Sequence, residues 1–304
     1  MRQRLAIAVI FLALLVGLAD RRPFDPGPAL LDRVLDLPRD RSRLGGYSGL
    51  HLAEDGAEFV IVSDRGRVLR GSLLREGGHL SGVRAKPILS LRDTRGKPVR
   101  GMANDAEGVA VAPDGTLFVS FEGAHQILAY PVGETTGARI ETPIFFATLP
   151  SNGGLEALAI DPEGRLITIP ERSFRRNRAT PVYRQDVDGW TELPGYVRSH
   201  GFLPVGADVG PDGRLYILER HFAGLGFASR VRSFALGPEL SDARLILRTP
   251  ARRHGNLEGL SVWRDGQGQI RLTMISDDNF LALLPGQIVE YILPKSLANK
   301  GATH

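Results

Sequence analysis

The chain has no cysteine in its 304 residues. That excludes a disulfide framework, a lipid-bearing cysteine, a thiol nucleophile and a thiolate metal site. Lysine is scarce as well, limited to Lys86, Lys97, Lys295 and Lys300. The net charge of +4 and pI near 9.6 therefore come from arginine. These arginines are scattered, apart from short clusters at Arg172, Arg175, Arg176 and Arg178 and at Arg252 with Arg253. Aromatics make up 7% of the chain and do not interleave with the basic residues, so no stacking surface for nucleic acid is expected. No P-loop, complete dinucleotide fingerprint or His-Glu-x-x-His motif occurs. Long apolar runs are missing too, except at the N-terminus.

That exception has the form of an export signal. Arg2 and Arg4 precede an unbroken apolar run from Leu5 to Ala19, and Gly17-Leu18-Ala19 offers small residues for a signal peptidase. The run falls short of the roughly 20 residues of a spanning helix. Residues 1–19 are accordingly read as a signal peptide cleaved after Ala19, with an uncleaved inner-membrane anchor as the alternative. Either way the body is expected in the periplasm or outside the cell, without a stable membrane span once the signal is removed. Residues 20–43 form an N-terminal segment, 44–294 the folded body and 295–304 a flexible tail.

What the body does contain is glycine (36), proline (20) and a repeat. Five segments share a short apolar strand, an acidic residue followed by Gly, and a second apolar strand. The paired runs begin at Ser48-Gly49-Leu50, Glu107-Gly108-Val109, Glu156-Ala157-Leu158, Gly206-Ala207-Asp208 and Glu258-Gly259-Leu260. Their turn glycines are 56, 115, 164, 213 and 266, at intervals of 59, 49, 49 and 53. Acid-Gly between apolar runs is a hairpin signal, because glycine accepts the positive φ of such turns. Two further strands follow each pair, for example Gln126 to Val132 with Ile144 to Leu149, and Arg230 to Leu236 with Ala243 to Leu247. Four strands per unit at a period near fifty predict an all-β fold, a β-propeller of five four-stranded blades. Six blades would require an unrecognised one between Arg65 and Asn104, where spacing is widest. The last unit, ending at Gln287 to Leu293, lacks an outer strand. Leu30 to Leu37 is expected to supply it, closing the ring with strands from both chain ends and removing an exposed edge.

Antiparallel pairing puts the start of strand one and the end of strand two at the same rim. Strand-one starts carry Ser48, Glu107, Glu156 and Glu258, with Asp105 just before. Strand-two ends carry Asp64, Glu122, Glu171, Glu219 and Asp277-Asp278-Asn279. Asp208, inside its strand, leaves the fourth register open. Carboxylates gathered at one rim must be neutralised by protons, arginines or a cation. Arg65, Arg172 and Arg220 follow rim acids directly. Where acids outnumber them, a hard oxygen-seeking ion such as Ca²⁺ is the expected remainder, with Asn279 as a neutral ligand. Each acid taken singly is better suited to tying blades together; the set as a whole is read as a ligand- or metal-binding rim.

Gly46-Tyr47-Ser48-Gly49-Leu50 with Ser63-Asp64-Arg65, Asp105-Ala106-Glu107-Gly108-Val109, Gly154-Leu155-Glu156-Ala157-Leu158, Leu218-Glu219-Arg220-His221-Phe222, and Asn256-Leu257-Glu258-Gly259-Leu260 with Ser276-Asp277-Asp278-Asn279-Phe280 carry a resemblance. They resemble the exported bacterial phytase-like propellers, the "esterase-like activity of phytase" family, over about Leu44 to Leu293. The resemblance implies a hydrolase of phosphate or carboxylic esters acting on a small molecule. It implies Ca²⁺ on the rim, held by Glu107, Glu156, Glu258, Asp277 and Asp278, with a spare carboxylate as general base. Asp64, Asp105, Glu219 and Asn279 complete the candidate ligand set. Arg65 and Arg220 would clamp phosphate oxygens. Of His200, His221 and His254, His221 is the best base. Four lysines do not make the cationic rim suited to inositol hexaphosphate. Lactone hydrolysis is a neighbouring possibility. A non-catalytic propeller binding a sugar, peptide or envelope partner is the alternative from another class. At least three rim carboxylates within metal-bonding distance would favour the enzyme. Asp186-Val187-Asp188-Gly189 with Glu192 is read as a plain hairpin turn, since the remaining ligands of a calcium loop are missing.

Overall fold

The computed structural model describes residues 24–37, 45–100, 105–150, 153–172, 179–199, 201–224, 226–278 and 286–295. The expected leader, His200, Asn279 and most of the expected tail lie outside the described residues. Among the described residues, no helix is long and apolar enough to cross a membrane.

Five four-stranded antiparallel blades form the body. Blade one is β2 (Tyr47–Leu52), β3 (Glu58–Ser63), β4 (Arg67–Glu76) and β5 (His79–Ala85), with a short β6 (Leu89–Ser90) beside β4. Blade two is β7 (Ala106–Val111), β8 (Leu117–Phe121), β9 (Gln126–Tyr130) and β10 (Ala138–Arg139). Blade three is β11 (Leu155–Ile160), β12 (Leu166–Pro170), β13 (Ala179–Asp186) and β14 (Gly189–Val197). Blade four is β15 (Leu203–Val209), β16 (Arg214–Phe222), β17 (Phe227–Ala235) and β18 (Ser241–Arg248). Blade five is β19 (Asn256–Arg264), β20 (Ile270–Asp277) and β21 (Gln287–Leu293), completed by β1 (Leu30–Asp36).

β1 runs antiparallel to β21, with Val34 opposite Val289, so the N-terminal strand closes the ring as the sequence predicts. The wide spacing after Arg65 reflects the long β4–β5 hairpin and β6, not a sixth blade. One expected strand is corrected. Ile144–Thr148 is a 3₁₀ turn, and the outer strand of blade two is the two-residue β10. Pro143 fixes the backbone at the start of that turn, and Phe146 plugs the gap against Tyr183 and Trp190 of blade three.

The innermost strands contact one another cyclically: β2, β7, β11, β15, β19 and back to β2. Glycine allows that approach. A Cβ at Gly108 would lie 2.7 Å from the Glu156 carbonyl oxygen, and one at Gly206 would lie 2.4 Å from that of Glu258. This is the physical reason for the glycine near the start of four of the five inner strands, Gly49, Gly108, Gly206 and Gly259. Between blades the core is aliphatic, as where Leu218 and Val231 of blade four meet Leu257 and Leu260 of blade five. Ring closure carries a buried ion network. Arg271 bonds Asp32 of β1 (2.9 Å), Asp265 (2.8 Å) and Glu290 (2.8 Å), and Arg75 of blade one reaches the same Glu290.

Candidate functional site: an acidic rim

Every innermost strand carries a β-bulge at the same place. The register shifts between Tyr47 and Gly49, Ala106 and Val109, Leu155 and Ala157, Pro204 and Gly206, and Leu257 and Gly259. A bulge turns an extra side chain out of the pleat, and such bulges recur beside functional sites. The bulged residues are Ser48, Glu107, Glu156, Val205 and Glu258. One step further toward the rim, strand two places Asp64, Glu122, Glu171, Arg220 and Asp277. Each sits opposite Gly46, Asp105, Gly154, Leu203 or Asn256 in turn.

This register resolves blade four and corrects one expected ligand. Arg220, not Glu219, stands at the position where the other blades place a carboxylate. Glu219 points to the opposite side of β16 and is fully buried. Arg230 Nε donates to it at 2.8 Å, and Arg232 grips both its oxygens at 2.8 Å. Those arginines also reach Ser199 and the Val197 carbonyl, so Glu219 ties blade four to blade three and stands apart from the rim cluster. Asp208 is likewise internal, accepting from the Val262 N–H at 2.7 Å. Blade four thus supplies Val205, Leu203 and Arg220 where its neighbours supply acids or small polar residues.

The remaining acids converge. Oxygens of Asp105, Glu107 and Glu122 all lie within 4.8 Å of one another. Burial raises Glu107 well above the usual carboxylate range, and the charges of Glu156, Glu258, Asp105 and Glu122 raise it further. Glu156 is raised for the same reason, against the opposing pull of Arg220. Glu258 is pushed up to about 8 by burial, despite bonds from Arg220 and from Asn256 Nδ2 at 2.7 Å. Asp64 is pushed up to about 7 by burial and by Asp277, with Arg65 opposing. Asp105 is raised by burial and by Glu122. Arg220 meets this charge by bonding Glu258, Asn256 (2.9 Å) and Glu171 (3.3 Å). Glu122 also accepts N–H bonds from Gly153 and Gly154 at the start of blade three.

The other expected participants are placed as follows. Asp277 and Asp278 lie beside Asp64, and Asp278 accepts the Gly46 N–H at 3.1 Å. Arg65 is exposed at the rim next to Asp64. Ser48 is buried and donates to the Gly46 carbonyl at 3.3 Å. His221 packs on Phe202, on the opposite side of β16 from Arg220, and is not brought to the carboxylates. His254 is buried against the Tyr291 hydroxyl (2.7 Å), and burial lowers it to about 4. The Asp186 turn is a plain hairpin whose acid bonds Arg184 at 2.8 Å.

Sequence reading missed His125. It sits on the β8–β9 turn with φ of 45°, three residues after Glu122, and its buried Nδ1 has no hydrogen-bond partner. Burial lowers its pKa while Glu122 opposes that shift. It escaped notice because no other blade carries a histidine there.

The phytase-like family model, described as esterase-like activity of phytase, matches residues 42–280. The chain belongs to this family. The match spans every carboxylate of the rim. No curated protein matches this phytase-like chain. Among solved structures it is similar to the PQQ-bound aldose sugar dehydrogenase of Streptomyces coelicolor, at 14% identity over 88% of this chain and 99% of that one, TM-score 0.48. It is also similar to a gluconolactonase of Xanthomonas campestris, at 14% identity over 89% and 99%, TM-score 0.43. A virginiamycin B lyase of Staphylococcus aureus follows at 10% identity over 86% and 99%, TM-score 0.42. At these values the likeness bears on neither substrate nor mechanism.

Proposed function

We propose that this phytase-like propeller is an exported hydrolase that cleaves phosphate or carboxylic esters with a divalent cation, Ca²⁺, at its acidic rim. The observation that carries the reading is the meeting of Asp105, Glu107 and Glu122 within 4.8 Å, in a ring whose equivalent positions offer one arginine. Four blades contribute carboxylates there, and Arg220 is already engaged by Glu258 and Glu171. The excess charge calls for protons or for a cation.

The donor set fits calcium. It is all oxygen, with carboxylates from neighbouring positions and no thiolate or histidine among them. The buried Asp64 Oδ1 has no hydrogen-bond partner, as expected of an oxygen reserved for an ion. Asp105, Glu107 and Glu122 would hold the cation, with Asp64 at the edge of its field. A bound Ca²⁺ would supply Lewis acidity toward an ester or phosphoryl oxygen and lower the pKa of water. Glu258, pushed up to about 8, suits the holding and release of a proton near pH 7, and Glu156 beside it is raised well above the usual carboxylate range by burial. Arg220 fixes Glu258 in place and puts a guanidinium beside the reacting group. An exported compartment suits a calcium site of modest affinity.

The test is a hydrolysis screen with phosphate-ester, carboxyl-ester and lactone substrates, each with Ca²⁺ or with chelator. Turnover that chelator removes supports the reading. No turnover on any class, with a melting temperature indifferent to Ca²⁺, overturns it and leaves a binding propeller.

A further inference from the structure

Blade four departs from its neighbours in a second way. The β16–β17 hairpin extends beyond the rim, because β16 continues through His221 to Phe222 and pairs Phe222 with Phe227. In blades one, two and three the second strand ends one residue before the rim position, and in blade five it ends on it. Two extra residues at about 3.3 Å each raise a wall of roughly 7 Å over the acids.

Side chains alternate along a strand, so Phe222 shares the side of Arg220. Phe227, directly opposite it, does too. The contacts agree. The Arg220 guanidinium lies 5.7 Å from the Phe227 ring centre, and the two phenyl rings are 5.3 Å apart. His221 turns to the other side, onto Phe202. Phe222 is 60% exposed. The corresponding position is Gly66 in blade one and Ala124 in blade two. Below this aromatic pair the half-buried Leu203 stands opposite Arg220. Among the described residues, the blade-four sector of the anionic mouth is therefore apolar and aromatic, continuous with the guanidinium that bonds Glu258.

We infer that Phe222 and Phe227 form the subsite for an aromatic or bulky apolar group of the substrate, so that the ester cleaved is an aryl or similarly apolar one and not a polyanionic sugar phosphate. The inference rests on the rim being the hydrolytic centre for its catalytic meaning. The binding it describes does not. Aromatic rings present a flat, rigid surface with little entropy to lose, which favours a ligand with a π face or a bulky apolar group. A polyol phosphate would instead leave the exposed phenyl rings against a hydrated ligand, where their burial gains nothing.

The experiment compares the full-length protein with Phe222→Ala, Phe227→Ala and, as a control, Val187→Ala, whose exposed side chain lies on the turn at the opposite end of blade three. Binding of 2-naphthyl phosphate and of glycerol phosphate is measured by calorimetry, and hydrolysis of both by product release. Wild type is expected to prefer the naphthyl compound. Each Phe variant should lose roughly tenfold of that preference, and the control none of it. If nothing is hydrolysed yet naphthyl binding persists and falls in the Phe variants, the subsite stands and the hydrolase reading falls. If hydrolysis occurs with an unchanged preference in both Phe variants, the subsite is wrong and the hydrolase reading stands. Equal binding of both compounds by wild type also overturns it.

Discussion

Arg220 donates to Glu258 across the boundary between blades four and five, from the position where every other blade places a carboxylate. Both side chains are largely enclosed, so each depends on the other for charge compensation. Arg220→Ala leaves Glu258 without its cation, while Glu171 keeps Arg172 at 3.1 Å. The expected cost is about 3 kcal/mol in chemical denaturation at pH 8. It should shrink at pH 5, where Glu258 takes up a proton. A cost that is the same at both pH values would show that Arg220 acts through packing alone.

The metal-free protein should lose stability as pH rises. Glu258 at about 8, Asp64 at about 7, and Glu107 and Glu156 higher than normal all bind protons more tightly folded than unfolded. A carboxyl with a raised folded pKa contributes nothing unfavourable below its unfolded value near 4. It destabilises progressively as pH climbs to the folded value. With chelator present, the melting temperature should fall by roughly 5 °C or more between pH 5 and pH 8. Ca²⁺ should raise it at pH 8 and do little at pH 5, because the ion competes with protons for the same oxygens. Thermal melts at the two pH values, with and without Ca²⁺, check this. A chelated protein more stable at pH 8 than at pH 5 would contradict it.

Much of this arrangement can be read from the chain alone, and the exceptions have causes. Gly56, Gly115, Gly164 and Gly213 recur because their hairpins demand positive φ, a role that Gly268 and not the expected Gly266 takes in blade five, and Gly49, Gly108, Gly206 and Gly259 recur because inner strands close on one another. Blade count and ring closure follow from those signals. The fourth blade misleads because Glu219 and Arg220 are adjacent, and alternation makes one internal and the other rim-facing. Aligning acid to acid selects Glu219, whereas counting from the turn glycine, as Gly115 to Glu122 and Gly164 to Glu171, places Arg220 at the rim. The run Ile144 to Leu149 is apolar enough for a strand but serves as an inter-blade plug. A two-residue strand such as β10 leaves no periodicity to detect. His125 depends on a turn specific to blade two, which a repeat-based reading passes over.

Glu107 and Glu219 should respond oppositely to loss of charge. Glu107 is crowded by like charges, so Glu107→Gln removes repulsion. The chelated protein is expected to melt higher than wild type at pH 8, and its response to Ca²⁺ to vanish. Glu219 is gripped by the buried Arg230 and the partly buried Arg232, so Glu219→Gln strands both. That variant should lose about 3–5 kcal/mol while keeping whatever Ca²⁺ response its folded fraction shows. Melting curves of both variants, with and without Ca²⁺, separate the two roles. Destabilisation of the chelated protein by Glu107→Gln would mean that its carboxylate is structurally bonded and not held for a ligand.

Ring closure supplies the last prediction. β1 covers the edge of β21 along its length, and Asp32 joins it to Arg271 of β20 and to His79 of blade one, at 2.9 and 2.6 Å. A chain beginning after Leu37 would expose the backbone donors and acceptors of β21 and remove one acid from the Arg271 network. An unpaired edge at the end of a ring is a template for a second molecule. The truncated protein is therefore expected to elute as dimers or larger species and to melt roughly 10 °C lower. Asp32→Asn, which keeps the strand and drops only the charge, should stay monomeric at the wild-type elution volume and melt a few degrees lower. If the truncated chain elutes and melts like the full one, β1 is an accessory to blade five and the ring is held by the remaining three strands.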